Sequence, residues 1–256
     1  MRIVLKFGSG ILASPQGNTL DDSQFSRLSG EVADLVAAGH ECIIVSSGAV
    51  AAGLEPLGYA ERPEELSARQ ACAAVGQSKL MQVYATKFEQ RGLAVGQLLL
   101  THGDLDSRTR YENIRNTLAR LLERKAAVPI INENDSVAVE ELKFGDNDRL
   151  SAEVARLAGA DILILLTSVD GLLDETGRTV SEVADIDAVA GLARQEKGRL
   201  SVGGMTSKLQ AVKTAIDAGI PTWIVSGRQP GQINAIAGGK SAGTRFLAKA
   251  KELSAS

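Results

Sequence analysis

Apolar residues fall along this chain in six short unbroken runs, each opening into small polar or charged residues: IVLKFGSG, CIIVSSG, VGQLLLT, VPIINEND, ILILLTS and TWIVSG. Val/Ile/Leu runs without polar alternation predict strands buried on both faces, and therefore a mainly parallel sheet. Between the runs, apolar residues recur at helical spacing. Asp21 to Ala38 sets Phe25, Leu28, Val32, Leu35 and Val36 on one stripe, begins acidic and stops at Gly39, which predicts a crossover helix. Glu64 to Arg91, alanine-rich and punctuated by Gly76, predicts one or two helices; Tyr111 to Lys125, Asn147 to Ala158 and Gly204 to Ala218 predict three more. Val137 to Gly145 alternates apolar and polar residues and predicts a short hairpin above the strand ends, while Gly171 to Gly177 reads as turns. The tail from Ala248 carries no strand signal and is expected to fray or form a short helix. The fold class is α/β around an open parallel sheet.

Composition narrows this further. With 256 residues, 44% hydrophobic and 23% charged, the chain suits one large α/β domain and not disorder. A formal net charge of -3 leaves no basic face for tracking a nucleic-acid backbone. Cys42 sits in an apolar run and Cys72 in an alanine-rich helix, so both are expected as buried, reduced thiols in a reducing cytoplasm. The start MRIVLKFGSG enters a strand at once, and no apolar run approaches the roughly 18 residues of a membrane span. Neither export nor membrane insertion is expected.

Ligands of open parallel sheets gather beyond the carboxyl ends of the strands. Lys6 with Gly8 and Gly10, Ser47 with Gly48, Asn132 to Asp135, and Thr167 all fall there. In KFGSG the glycines expose backbone N–H groups to an anion and Lys6 adds a charge. Gly8, Gly10 and Ala13 also satisfy a dinucleotide-binding spacing, but Ser14 to Thr19 is turn-like where a helix belongs, and the second strand ends in Ser46 and Ser47 instead of an acid. An ordinary glycine turn with a solvated lysine is the plainer alternative. No Walker A loop occurs, because GGK at Gly238 to Lys240 has Asn234 where the first glycine belongs.

VGGMTSK, Val202 to Lys208, places a lysine in the first turn of a helix, where it opposes the macrodipole by about 0.3 to 1 kcal/mol unless an anion sits there. A flexible surface loop would explain it equally well on its own; paired with Lys6 it points to phosphoryl transfer. NEND and GDND, Asn132 to Asp135 and Gly145 to Asp148, add carboxylates. These could merely cap the following helix, or one could meet a substrate ammonium while another holds the two lysines. Glu133, Glu140 and Glu141 are expected to be solvated or structural, His40 and His102 neither ligands nor bases, and Trp223 a core residue. These residues together suggest a small-molecule kinase.

KFGSG, SSGAVAAG, AAVGQSKLMQVY, GQLLLT, VPIINENDSVA, KFGDNDRLSA, LLTSVDGLL, VGGMTSKLQA and GTRF resemble, in order over nearly the whole chain, the glutamate 5-kinase family of the amino acid kinase superfamily. The resemblance implies a three-layer αβα sandwich around an open, mainly parallel twisted sheet. It also implies ATP with magnesium carried on the nucleotide phosphates, and phosphorylation of the side-chain carboxylate of L-glutamate as the first step toward proline. By motif position, Lys6 and Lys208 would stabilise the transferring phosphoryl group and Asp148 would organise them. Ser47, Gly48, Ala49, Asp135 and Asn147 would form the glutamate side. Gly8, Ser9 and Gly10, then Thr167 and Ser168, and finally Val202, Gly203, Gly204, Met205, Thr206, Ser207 and Lys208 would bind ATP. The halves about 1–160 and 161–256 would be the substrate and nucleotide sides of one domain. No protein-held metal is implied.

Three positions depart from the family's usual residues: Gly10 stands for serine, Ser168 for an acid and Val202 for threonine. Many relatives also carry a carboxyl-terminal PUA domain, which this sequence is expected to lack as a short form or a truncation. Feedback by proline, and a dimer or tetramer, follow by resemblance only. The competing readings are a sister carboxylate kinase for N-acetylglutamate, aspartate or carbamate, and a nucleotide-binding regulatory module without turnover.

Overall fold

The computed structural model describes residues 1–123, 126–138, 147–189, 191–192 and 204–248. All six apolar runs are strands: β1 (Arg2–Phe7), β2 (Glu41–Val45), β3 (Ala94–Leu100), β4 (Ala127–Glu133), β5 (Ile162–Thr167) and, after the short β6 (Glu182–Val183), β7 (Thr222–Ser226). A three-residue β8 (Thr244–Phe246) completes one eight-stranded sheet in the order β3-β4-β2-β1-β5-β7-β8-β6. Every pairing is parallel except that of β7 with β8. The pattern missed β6 and β8 because two or three residues are too few to establish a period.

Buried residues divide by strand parity into two cores. Ile3, Leu5 and Phe7 of β1 pack on one face against Phe25, Leu28, Val32 and Leu35 of α2 (Asp22–Ala37) and Leu80, Tyr84 and Phe88 of α4 (Leu66–Glu89). Val4, Val45 and Leu165 face the other way, toward α6 (Arg108–Glu123), α7 (Asn147–Ala158) and α9 (Met205–Asp217). This is the expected αβα sandwich. β3 departs from the buried-strand expectation: at the sheet edge, only Leu100 of its seven residues is buried.

The helices follow their sequence signals closely. Asp21 caps α2 by accepting from the backbone N–H groups of Ser23 and Gln24, and Gly39 takes the left-handed turn after it (φ 89°). Glu64 to Arg91 is one helix, not two, because Gly76 is a packing site and not a break. A Cβ on Gly76 would lie 1.8 Å from the carbonyl oxygen of Ala49, and one on Gly53 would lie 1.9 Å from that of Cys72. Glycine at both positions lets α3 (Ala49–Leu54) cross α4 backbone to backbone. One helical turn, α1 (Ser9–Leu12), opens directly after Gly8, ahead of the turn-like stretch Ser14 to Thr19. His102 also begins a helix, α5 (His102–Asp106), fixed by the reciprocal Thr101/Asp104 capping box.

The remaining small elements are α8 (Ile186–Val189) and α10 (Gln232–Ala237). Most of the expected hairpin, Glu140 and Glu141, Val202 and Gly203, and the tail beyond Ala248 lie outside the described residues. Cys42 and Cys72 are buried free thiols, and Trp223 is buried as expected. Burial pushes the Cys42 thiol up to about 12. Among the described residues no helix is long and apolar enough to cross a membrane.

Candidate active site

Strand parity brings the two lysines together. Lys6 shares the face of Val4, so its side chain turns toward the layer that holds α7 and α9. Asp148 stands in the first turn of α7 and Lys208 in the first turn of α9. Lys6 Nζ lies 2.5 Å from Asp148 Oδ1, and Lys208 Nζ donates to Asp148 Oδ2 at 3.1 Å. Ser207 Oγ adds a 3.3 Å bond to Oδ2. All three charged side chains are buried, Asp148 to 2% exposure. Burial alone would raise the Asp148 carboxyl, but the two ammonium groups outweigh it and hold the carboxyl below its usual range. One carboxylate thus serves two cations.

On the β2 and β4 side a chain of amides fixes the polar floor. Gln77 of α4 donates to Gln97 Oε1 of β3 at 3.0 Å and accepts from Asn132 Nδ2 at 2.9 Å. Asn147 Nδ2 then donates to both Asn132 Oδ1 and Ser47 Oγ, each at 3.0 Å. Both amide hydrogens of Asn147 are thereby committed. Its buried Oδ1 has no hydrogen-bond partner among the described residues. Behind Ser47, the hydroxyls of Ser46 and Tyr84 bond at 2.8 Å in the core. Gly48 turns the chain from β2 into α3 with φ 100°, a conformation a side chain would strain.

Of these groups, Lys6, Lys208, Ser47, Gly48 and Asn147 line one cavity of about 400 Å³. It joins Lys6, Gly8, Ser9 and Gly10 to Ser47, Gly48 and Ala49, and these to Asp135, Asn147, Thr167, Ser168 and Lys208. Gly204 to Ser207 lead into Lys208 at the amino end of α9, with Met205 packed into the core so that only its backbone faces outward chemistry. Among the charged residues of the lining, sequence reasoning gave no site role to three: Arg62, Arg228 and Glu133. Glu133, expected to be solvated or structural, is 6% exposed and borders the cavity. Arg62 and Arg228 come from loops in which nothing distinguishes a site arginine from a solvated one. His40 and His102 stay outside the cavity lining.

A model of the amino acid kinase family matches residues 1–226. Glutamate 5-kinase of Burkholderia multivorans is 43% identical over 264 residues, covering 99% of this chain and 70% of its own length. That of Citrobacter koseri is 45% identical over 258 residues, covering 98% and 70%. The chain belongs to the amino acid kinase family, in its glutamate 5-kinase branch. Among solved structures, UMP kinase from Bacillus anthracis superposes with a TM-score of 0.63 at 16% identity, covering 97% of this chain and 96% of its own. Carbamate kinase from Giardia lamblia bound to AMP-PNP gives 0.65 at 17%, covering 97% and 98%. These two similarities establish the fold.

Within this amino acid kinase, Gly10 and Ser168, two of the three positions at which the resemblance leads one to expect other residues, are neighbours. A Cβ on Gly10 would stand 3.8 Å from both Cβ and Oγ of Ser168. Arg228 closes the same corner, its Nη2 donating to the carbonyl oxygen of Gly10 at 2.7 Å.

Proposed function

We propose that the chain transfers the γ-phosphoryl group of ATP to the side-chain carboxylate of L-glutamate, giving L-glutamyl 5-phosphate and ADP, the first step toward proline. The observation that carries this reading is the Lys6–Asp148–Lys208 cluster at the crest of the sheet, opening on a cavity that also holds Asp135 and Asn147. The attacking γ-carboxylate is already ionised at neutral pH, so no general base is required. One of its oxygens bonds to the γ-phosphorus as the bond to the bridging β–γ oxygen breaks, and ADP leaves with that oxygen. Lys6 and Lys208 neutralise the charge spread over the equatorial oxygens, and Asp148 is the positioning residue that fixes both.

Gly8, Ser9 and Gly10 offer backbone donors to the phosphates. Thr167, Ser168 and the amino end of α9 form the nucleotide side, in the half from about residue 161 onward. Asp135 and the open Oδ1 of Asn147 are suited to an α-ammonium, and Ser47 with Gly48 and Ala49 to the body of glutamate. Magnesium fits as a companion of the nucleotide phosphates. Both oxygens of Asp148 are engaged by lysines, and the ion would supply further neutralisation of the β and γ oxygens. A cytoplasmic homo-oligomer responsive to proline belongs to the same proposal.

ADP release on mixing ATP with L-glutamate, with hydroxylamine trapping of the acyl phosphate, tests the reading. N-acetylglutamate lacks the ammonium that Asp135 would meet, so activity with it in preference to L-glutamate, or nucleotide binding without turnover, overturns the assignment.

A further inference from the structure

The phosphoryl centre and Asp135 account for two of the three charged groups of an amino dicarboxylate, the reacting carboxylate and the ammonium. The α-carboxylate has no counterpart among them. Four cations line the cavity among the described residues: Lys6, Lys208, Arg62 and Arg228. The lysines belong to the phosphoryl centre through Asp148, and Arg228 is bonded to Gly10 in the corner next to Ser168. Arg62 remains. It projects from the connection between the 3₁₀ turn Glu55–Leu57 and α4, on the rim shared with Ala51, Leu54 and Asp135.

We propose that Arg62 is the specificity residue for the free α-carboxylate of the substrate, acting beside Asp135 on the α-ammonium. This rests on the carboxylate-kinase reading above. The ammonium and the carboxylate leave the same carbon, so the groups that receive them must be neighbours of opposite sign. Arg62 and Asp135 line the same cavity with opposite charges; burial and the charge of Arg69 lower the basicity of Arg62, while the Asp135 carboxylate acts in the opposite direction. The guanidinium remains charged at neutral pH and presents a planar fork that matches a carboxylate through two parallel hydrogen bonds. Its place at the rim also suits the geometry of transfer. The γ-carboxylate must point down to Lys6 and Lys208, which leaves the α-carbon end of the substrate toward the mouth.

Two acceptors separate this role from a structural one: L-glutamate, and its α-amide, which keeps the ammonium and the γ-carboxylate but has no α-carboxylate. Arg62→Gln should raise the KM for L-glutamate by about 10- to 100-fold, the loss expected for a charge-assisted hydrogen-bonded pair. Its kcat should stay within about threefold. The KM for the α-amide should change by less than about twofold, so the preference for the free acid collapses. Arg62→Lys should restore part of that preference, since it returns the charge without the fork.

Thermal melting of both variants checks that the fold is retained, and Arg62→Met, which preserves the apolar stem, serves if the glutamine variant does not fold. An unchanged L-glutamate KM, or an equal rise for both acceptors, overturns the assignment of Arg62 while leaving the kinase reading intact. A wild-type enzyme that forms no acyl phosphate from L-glutamate overturns both.

Discussion

Lys6 and Asp148, far apart in sequence, meet at 2.5 Å with both side chains buried. Removing the carboxylate takes away the partner that the two buried ammonium groups share. Asp148→Asn should therefore cost about 3 kcal/mol or more of folding stability, read from urea denaturation, and should lower kcat besides. An equally stable variant would mean that solvent already screens the lysines.

The same pairing gives a pH dependence whose sign is fixed. The folded carboxyl of Asp148 titrates below the ordinary value of 3.8. Its contribution to stability is thus fully present above that value and is lost as pH falls through the lower folded value. Lys208→Met removes one of the two charges that outweigh burial, so acid unfolding should begin at a higher pH than in the wild type. Trp223 fluorescence followed from about pH 6 to pH 2 reports it. Coincident acid midpoints would show that Lys208 does not hold the carboxyl ionised.

Lys208 should matter to the transition state far more than to substrate binding. Lys208→Ala is expected to lower kcat by about 10²- to 10³-fold while the affinity for L-glutamate, from direct titration, stays within about threefold. The opposite pattern would place Lys208 in the acceptor site.

Asp135→Ala should show the reverse division, a KM for L-glutamate raised by about 10- to 100-fold with turnover at saturation largely retained. Steady-state kinetics with L-glutamate as the varied substrate distinguishes the two. Collapsed turnover at unchanged KM would remove Asp135 from the ammonium subsite.

Gly76→Ala should destabilise the protein by about 2 kcal/mol or more, because the new methyl would meet the carbonyl of Ala49, a backbone atom that cannot rotate away. Gly103→Ala, whose nearest contact would be Thr101 Oγ1 at 3.8 Å, provides the control and should be close to neutral. Thermal melting of the pair checks this.

The sheet and its crest were legible because each central strand announces itself by an unbroken apolar run that ends in the polar residues it delivers to the site. The lysine pair was legible for a related reason: Lys208 opposes a helix dipole without local compensation, and that misfit points to an anion. What escaped had no local misfit to betray it. Arg62 and Arg228 gain meaning only from which residues surround them in space. Gln77 looks like any polar residue on a helix until Asn132 and Gln97 are seen to bond with it. The short helix at His102 could have been read from Thr101 and Asp104, whose spacing is that of a capping box. Gly76 was visible, but its sequence context suggested an interruption where the structure has a contact.

That contact ties a ligand-facing turn to an outer-layer strut. Gly48 and Ala49 border the cavity, and a few residues on the same short helix rests its backbone against the 24-residue α4 with no side chain interposed to cushion it. The rim that would greet the amino acid is consequently keyed to a rod reaching to Phe88 in the core that Ala49 shares, so a displacement of one is carried to the other.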